Sequence, residues 1–507
     1  MATVVGVTER KYDPGTAGAA ALDAVRAITG AAGVVAVSQH DEQIPDALYY
    51  DTADLRLIGA GVTLRRQTGG QDAGWHLKLP AGAGTRDEIR LPLAAVPARR
   101  PAVGAVPKEL AALVRAYTRG APLAPVMRIR TSRSVLRLLD DTRRSLAQIA
   151  ADHVSAEPTD GAAGTSWDEI EAELVTGGPG LLRAIDTRLR RAGARPAATR
   201  AELQRALGDR LPPAEAGRRP PLTKRSPAGE VVLTYLRDQV AAISHCDPLV
   251  RRDEPDAVHQ MRVATRRARS ALQAFGQIIE RERTRPLCAE LKWLAAELGQ
   301  ARDGEVLLAR LTAELAAIPP ALVMGPAGDR ITGHFTAELE RAGKAAQRAL
   351  NGRRYLRLLN DLDALLADPP LTPRALHKAG EALTKPVRRA ARRLRCALAA
   401  VPAAEDQDAA IHEARKTAKR ARYAAEAALP ALGGKVRRQA TRTKQLQQLL
   451  GDHHDSVVAR TVLLELARRA RAAGEDTFTY GLMHQRQARQ AAEIERTLPT
   501  IAARART

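Results

Sequence analysis

The chain has 507 residues, too many for one hydrophobic core, so two or three domains are expected. Its 79 Lys and Arg against 57 Asp and Glu give a formal net charge of +22, which points to an anionic partner: nucleic acid, an anionic membrane or a phosphate polymer. Aromatic residues make up only 3%, which argues against a reader of single-stranded bases, because such readers stack bases on Phe, Tyr or Trp.

Residues 1 to about 175 hold short β-like runs: VVGVTERKY, LYYDT, GVTLRRQ, WHLKLP, DEIRLPL, PVMRIRTSRSVLRLL, LAQIAADHVS and WDEIEAELV. Turn sequences such as TGGQDAG and PAGAGT separate them in the manner of antiparallel hairpins. Helices are expected at 16–29 and 106–118, and a helical pair over 178–208 closes this half. Side chains alternate along a strand, so residues two apart share a face. Glu9 and Lys11 do so, as do His76 and Lys78, Arg86 and Glu88, and Glu169, Glu171 and Glu173. Charge therefore stands where an ordinary barrel has hydrocarbon, and the interior is expected to be a polar tunnel. Arg128 and Arg130 fall on the opposite alternation from Arg133, which places them outside.

A Pro- and Gly-rich stretch at 209–227 reads as a linker. From 228 the pattern is helical, and a basic motif occurs twice: HQMRVATRRAR, with His259, Arg262, Arg266, Arg267 and Arg269, and HEARKTAKRAR, with His412, Arg415, Lys419, Arg420 and Arg422. Each position shifts by 153 (412 − 259, 422 − 269), and a second pair, LGQARDGEV and LGDHHDSVV, shifts by 152 (455 − 303). So constant an offset marks an internal duplication. Steps of about 100° per residue place 259, 262, 266 and 269 within an arc of about 80°, running about 15 Å along the axis. Like charges at such spacing weaken a helix, so a stripe of one sign requires an acidic partner, expected outside the chain. Asp303 and Asp455 are expected to pair with an Arg of their own bundle. The adjacent His453 and His454 point about 100° apart on a helix, so a metal site formed by both is not expected.

The predicted architecture is α+β with two domains. An N-terminal antiparallel β-barrel (tunnel) with flanking helices occupies 1–208. An all-α domain of two duplicated four-helix bundles, 228–370 and 371–500, follows the linker and is expected to have a pseudo-twofold axis. Cys246, Cys288 and Cys396 form no CxxC pair, no stretch approaches about 18 uninterrupted apolar residues, and the N-terminus becomes charged early. A soluble cytoplasmic protein without a membrane partner is expected.

A face with carboxylates at both ends and Lys or Arg between suits a polyphosphate bound through a divalent cation. Hard cations such as Mg²⁺ or Mn²⁺ take carboxylate oxygens and bridge to phosphate. Arg and Lys neutralise the remaining charge.

Residues 1–208 resemble the CYTH, or triphosphate tunnel metalloenzyme, family. The resemblance rests on a degenerate ExExK (Val7 to Lys11), YYDT at 49–52, TLRR at 63–66, WHLKLP at 75–80, an RxE at Arg86 to Glu88 and EIEAEL at 169–174. Residues 228–500 resemble the CHAD domain, a helical duplication with basic, His-containing motifs. The first resemblance implies a tunnel for triphosphate or short polyphosphate with Mg²⁺ or Mn²⁺. Glu9, Asp152, Glu169 and Glu171 match its acidic, metal-binding positions, Lys11, Arg65, Lys78 and Arg133 its phosphate-binding positions, and Glu9, Lys11 and Glu171 the catalytic ones. The second implies polyphosphate binding by the two basic stripes. Val7 and Gln67 depart from the family's pattern, at positions where a Glu and an Arg are expected.

These readings imply a polyphosphate-binding protein with a metal-dependent triphosphatase or polyphosphatase tunnel. The alternatives are a non-catalytic module recruited to polyphosphate granules, and a nucleic-acid binder attracted through phosphates, which steep salt dependence would mark. Sequence-specific nucleic-acid binding is disfavoured. Adenylate cyclase activity, known elsewhere in the CYTH group, is a minor alternative.

Overall fold

The computed structural model describes residues 3–6, 9–15, 18–30, 32–69, 72–82, 85–93, 105–197, 202–211 and 220–504; Val7 lies outside them. The chain divides into two compact units, Met1–Arg218 and Arg219–Thr507.

The first unit is built on β1 (Thr3–Gly6), β2 (Glu9–Asp13), β3 (Ala36–Gln43), β4 (Asp46–Asp51), β5 (Thr63–Thr68), β6 (Gly74–Gly82), β7 (Thr85–Leu91), β8 (Ala124–Leu139), β9 (Ser145–Pro158), β10 (Thr165–Leu174) and β11 (Arg195–Pro196). They form one sheet in the order β1-β7-β6-β5-β4-β8-β9-β10-β2-β11, with β3 also on β8. Every pairing is antiparallel. Hydrogen bonding does not close the sheet among the described residues, so the expected barrel is an open, curved one. Its two ends are nevertheless tethered: β1 pairs with β7 and β2 with β10, yet Gly6 and Glu9 are three residues apart. That separation spans at most about 11 Å.

The helices of this unit are α1 (Gly18–Arg26), α2 (Arg56–Gly59), α3 (Lys108–Leu113), α4 (Arg115–Thr118), α5 (Pro179–Arg191) and α6 (Glu202–Leu207). α1, α3, α4 and α5 cover the outer, apolar face of the sheet, whereas α6 packs against its inner face. Leu64, Leu77 and Ile89 pack with Leu110 of α3 and with Val114 at the junction of α3 and α4. Ile149, Ile170 and Ala172 pack with Val25 of α1 and with Leu182 and Ile185 of α5. Each such side chain contributes about 1.5–3 kcal/mol on burial; the inner face is divided, apolar where Leu203 and Leu207 of α6 cover Ala47, Met127, Ile129, Val154, Ala156 and Trp167, and charged beyond them. In the YYDT motif, buried Asp51 accepts hydrogen bonds from the backbone N–H groups of Thr52, Leu57 and Ile58 and so holds the start of α2, while Tyr49 is turned toward the charged face.

The second unit is helical: α7 (Ala228–Arg251), α8 (Ala257–Ala274), α9 (Arg281–Glu297), α10 (Gly299–Ala316), α11 (Ala327–Asn351), α12 (Arg353–Ala367), α13 (Ala379–Ala382), α14 (Thr384–Ala400), α15 (Gln407–Leu432), α16 (Gly434–Ala472) and α17 (Phe478–Arg504). The duplication is visible as α7, α8, α9 with α10, and α11 matched by α14, α15, α16 and α17. The 39-residue α16 is continuous where the first copy breaks at Leu298. Leu311 of α10 and Phe335 of α11 pack with Leu463, Tyr480 and Met483 of α16 and α17, joining the copies in one core. No helix is long and apolar enough to cross a membrane among the described residues.

Candidate functional site

The inner face of the sheet unit holds a charged cavity of about 100 Å³, lined by residues that include Glu9, Lys11, Tyr49, Arg65, Lys78 and Glu171. Register creates it. Lys78 lies opposite Thr63 on one side and Glu88 on the other, and His76 lies opposite Arg65 and Arg90. Glu171 is opposite Lys11, and Asp152 is opposite both Arg133 and Glu169.

Lys11 is the centre of this network. Its Nζ donates to Glu169 at 2.6 Å and to Glu202 at 2.9 Å, and Glu171 lies 3.8 Å away. Burial opposes its charge, but Glu171, Glu202 and Glu169 together hold its pKa well above the ordinary lysine value. Arg133 makes a two-pronged bond to Asp152, at 2.8 and 2.6 Å, and a third bond to Glu171 at 2.8 Å. Burial pushes Asp152 up to about 6 although Arg133 pulls the other way. Arg65 donates to Tyr49 Oη at 3.2 Å, and Tyr49 donates to Glu202 at 3.3 Å. His76 Nδ1 lies 2.7 Å from Glu88.

Glu9 and Glu171 stand within hydrogen-bonding reach of each other on the cavity wall. Burial and the Glu171 charge push Glu9 up to about 7. Against the effect of burial, Lys11 and Arg133 hold Glu171 below the usual carboxylate range. Two neighbouring carboxyl groups on the wall of a cavity match the oxygen donors a hard divalent cation takes, so this pair fits the cation that the resemblance implies. The other two carboxylates of the expected metal set are engaged elsewhere: Glu169 with Lys11 and the Trp167 indole N–H, and Asp152 with Arg133. Gln67 is buried on its strand. Glu202 escaped the sequence reading. It stands in the first turn of α6, which the chain folds back onto the sheet, and a lone Glu after a Pro/Ala-rich run carries no strand alternation to reveal it.

In the helical unit the two stripes, on α8 and α15, converge. Arg267 of the first and Arg422 of the second both pair with Glu426, at 3.2 and 2.6 Å, and both lie over the Tyr423 ring. Arg262, Arg266, Arg415 and Lys419 repel one another across the crossing. Each copy repeats one pairing, Arg262 with Asp303 at 2.7 Å and Arg415 with Asp455 at 3.7 Å, as expected of the second-motif aspartates. By contrast, Arg266, Arg269, Lys419 and Arg420 make neither a hydrogen bond nor an ion pair among the described residues. Burial, with Arg266 and Arg415 nearby, pushes Lys419 down to about 6. His412 Nδ1 meets His454 Nδ1 at 3.1 Å. Burial and Arg415 push His454 down to about 4, so the pair is neutral near pH 7. His259, the counterpart of His412, is half-buried. His453 turns away from His454: its Nε2 lies 2.8 Å from Glu495 and 3.4 Å from Asp408, a set of atoms all within 4.8 Å of one another.

The CHAD domain family model matches residues 234–464. An uncharacterised protein of Mycobacterium tuberculosis, Rv2226, is 39% identical over 480 residues, covering 90% of this chain and 89% of the relative. The CHAD domain of the plant Ricinus communis aligns at 27% identity over 56% of this chain and 94% of that one, with TM-score 0.44. The adenylyl-cyclase-type protein HpAC1 of Hippeastrum, described as having a dominant triphosphatase activity, aligns at 15% identity over 42% of this chain and 99% of that one, with TM-score 0.25. The chain belongs to the family of the mycobacterial protein, and its helical unit carries a CHAD domain.

Proposed function

We propose that this protein binds inorganic polyphosphate through its helical unit and hydrolyses a triphosphate or polyphosphate end in its sheet unit. One observation carries the binding reading: the stripes of both copies converge, and Arg266, Arg269, Lys419 and Arg420 make no hydrogen bond or ion pair among the described residues. Uncompensated cations packed together are unfavourable until an external polyanion neutralises them.

In the sheet unit Glu9 and Glu171 are the residues that would hold Mg²⁺ or Mn²⁺. Such a cation supplies charge neutralisation at the transferring phosphoryl group. Lys11 and Arg133 keep Glu171 ionised and in place. Arg65 and Lys78, on neighbouring strands of the same cavity, present positive charge to the phosphate oxygens of a triphosphate. The substrate class is a phosphoanhydride: tripolyphosphate, polyphosphate or a nucleoside triphosphate. Polyphosphate granules in the cytoplasm are the location this reading implies.

Phosphate release from a panel of these substrates with Mg²⁺, Mn²⁺ or chelator tests the enzyme reading. Metal-dependent release is the expected result, and its absence with every pair leaves the second reading, a non-catalytic polyphosphate module. That alternative is supported by the ion pairs that already engage Glu169 and Asp152. Loss of polyphosphate binding on neutralising Arg262, Arg266, Arg415 and Lys419 tests the helical site. A nucleic-acid reader is separated by competition, since polyphosphate at matched phosphate concentration displaces DNA only if the sequence of the DNA is not being read.

A further inference from the structure

The twin stripes do not end the positive surface of the helical unit. A groove of about 800 Å³ lies beside them, and its lining includes Arg281, Lys385, Arg389, Arg393 and Arg420. No Asp or Glu is among its lining residues. Lys385, Arg389 and Arg393 recur every fourth residue on α14, so they form one exposed ridge about 12 Å long, at 1.5 Å of rise per residue. They make no hydrogen bond or ion pair among the described residues. The groove and the stripe crossing are contiguous. Arg420 belongs to both, Ser270 on the groove wall directly follows Arg269, and Arg269 and Arg420 repel each other.

A ridge of like charges spaced four residues apart weakens its own helix by a few tenths of a kcal/mol per pair, and nothing inside this unit offsets it. Scattered surface cations need no such explanation, but these three line a concave wall together with Arg281 of α9 and Arg420 of α15. A flexible chain of phosphates that fills the stripe crossing has an uninterrupted positive path onward into this groove, whereas a triphosphate is too short to occupy both. We propose that α14 supplies a second polyphosphate subsite, through Lys385, Arg389 and Arg393, that extends the crossing and makes the helical unit selective for long chains over short ones. This rests on the reading of the helical unit as a polyphosphate binder.

The test uses the full chain carrying Lys385→Gln, Arg389→Gln and Arg393→Gln, all exposed positions whose replacement leaves the core intact. Binding of long-chain polyphosphate and of tripolyphosphate is titrated over a range of salt concentrations. A control chain with Arg341→Gln, Lys344→Gln and Arg348→Gln on α11 removes the same charge elsewhere in the unit. For a flexible single strand each neutralised phosphate contributes a slope of about 0.7 in log affinity against log salt, so three lost contacts make the slope shallower by about 2. Long-chain affinity is expected to fall at least tenfold with that change of slope, tripolyphosphate affinity to stay as in the parent, and the control to match the parent for both. Equal losses for long and short chains, an equal loss in the control, or an unchanged long-chain salt slope each overturn the subsite. If the parent chain itself fails to bind long-chain polyphosphate, the underlying reading of the helical unit falls instead.

Discussion

Replacing Lys11 with Met tests the network that shapes the sheet unit. The Lys11 side chain is 6% exposed and faces the carboxylates of Glu169, Glu202 and Glu171, themselves 3%, 11% and 12% exposed. Met preserves most of the hydrocarbon stem but leaves three buried carboxylates without their shared cation. Deleting one partner of a buried ion pair costs about 3–5 kcal/mol, and a lysine serving three acids belongs at the upper end of that range. The pH dependence supplies a second signature. In the parent, Glu171 and Glu202 are held below the usual carboxylate range, against burial, chiefly by Lys11. Without Lys11, burial and mutual repulsion raise them above their unfolded values, so the folded variant binds protons that its unfolded chain has already released. Its deficit is therefore full at about pH 7.5 and shrinks toward about pH 5, the direction linkage requires. Urea unfolding followed by Trp fluorescence reads this unit, because Trp75 and Trp167 lie in it, and calorimetry separates the transition of the helical unit, which holds Trp293. A loss below about 1 kcal/mol, in the range of an exposed pair, or a loss equal at both pH values, refutes the account of Lys11 as the cation that neutralises this cavity.

Three further outcomes follow from the same geometry. Glu171→Gln is expected to lower metal-dependent phosphate release by about a hundredfold or more, the scale of losing one well-placed electrostatic contact, with unchanged polyphosphate binding measured on the same preparation. Glu9 carries a proton below about pH 7, so the metal concentration needed for half-maximal release should drop as pH rises through 7, and Glu9→Gln should abolish that dependence. Lys419, pushed down to about 6 by burial and its cationic neighbours, regains its proton when a polyanion arrives. Binding near pH 7 should take up close to one proton and tighten toward pH 6, as calorimetry in buffers of different ionisation enthalpy reports, while Lys419→Arg binds without uptake.

The charged inner face was legible in the sequence because a strand's two-residue period puts Glu9 with Lys11, His76 with Lys78 and Glu169 with Glu171 whatever the partners are. The duplication was equally plain, since the 153-residue offset needs no structure to be counted. Pairing across strands was not legible: nothing local tells Arg133 that Asp152 and Glu171 are its neighbours, because register is decided by turns and by the fit of a whole sheet. Glu202 was hidden for the same reason, and the ridge on α14 was hidden because its arginines look like any solvated helical face until the groove appears beside them.

The sequence by itself determined which residues carry charge, on which face of a strand or helix they stand, and that the helical half is written twice. Tertiary structure alone decided which charges cancel and which remain. It set Lys11 and Arg133 among acids, brought Arg266 and Lys419 together with no ion pair among the described residues, and left the sheet's ends, among the described residues, tethered through the chain rather than hydrogen-bonded. The physical reason is range. Periodicity is set by bonds within a few residues, whereas the energy of a charge depends on the nearest opposite charge and on how much water is excluded, and both are fixed only when distant segments pack.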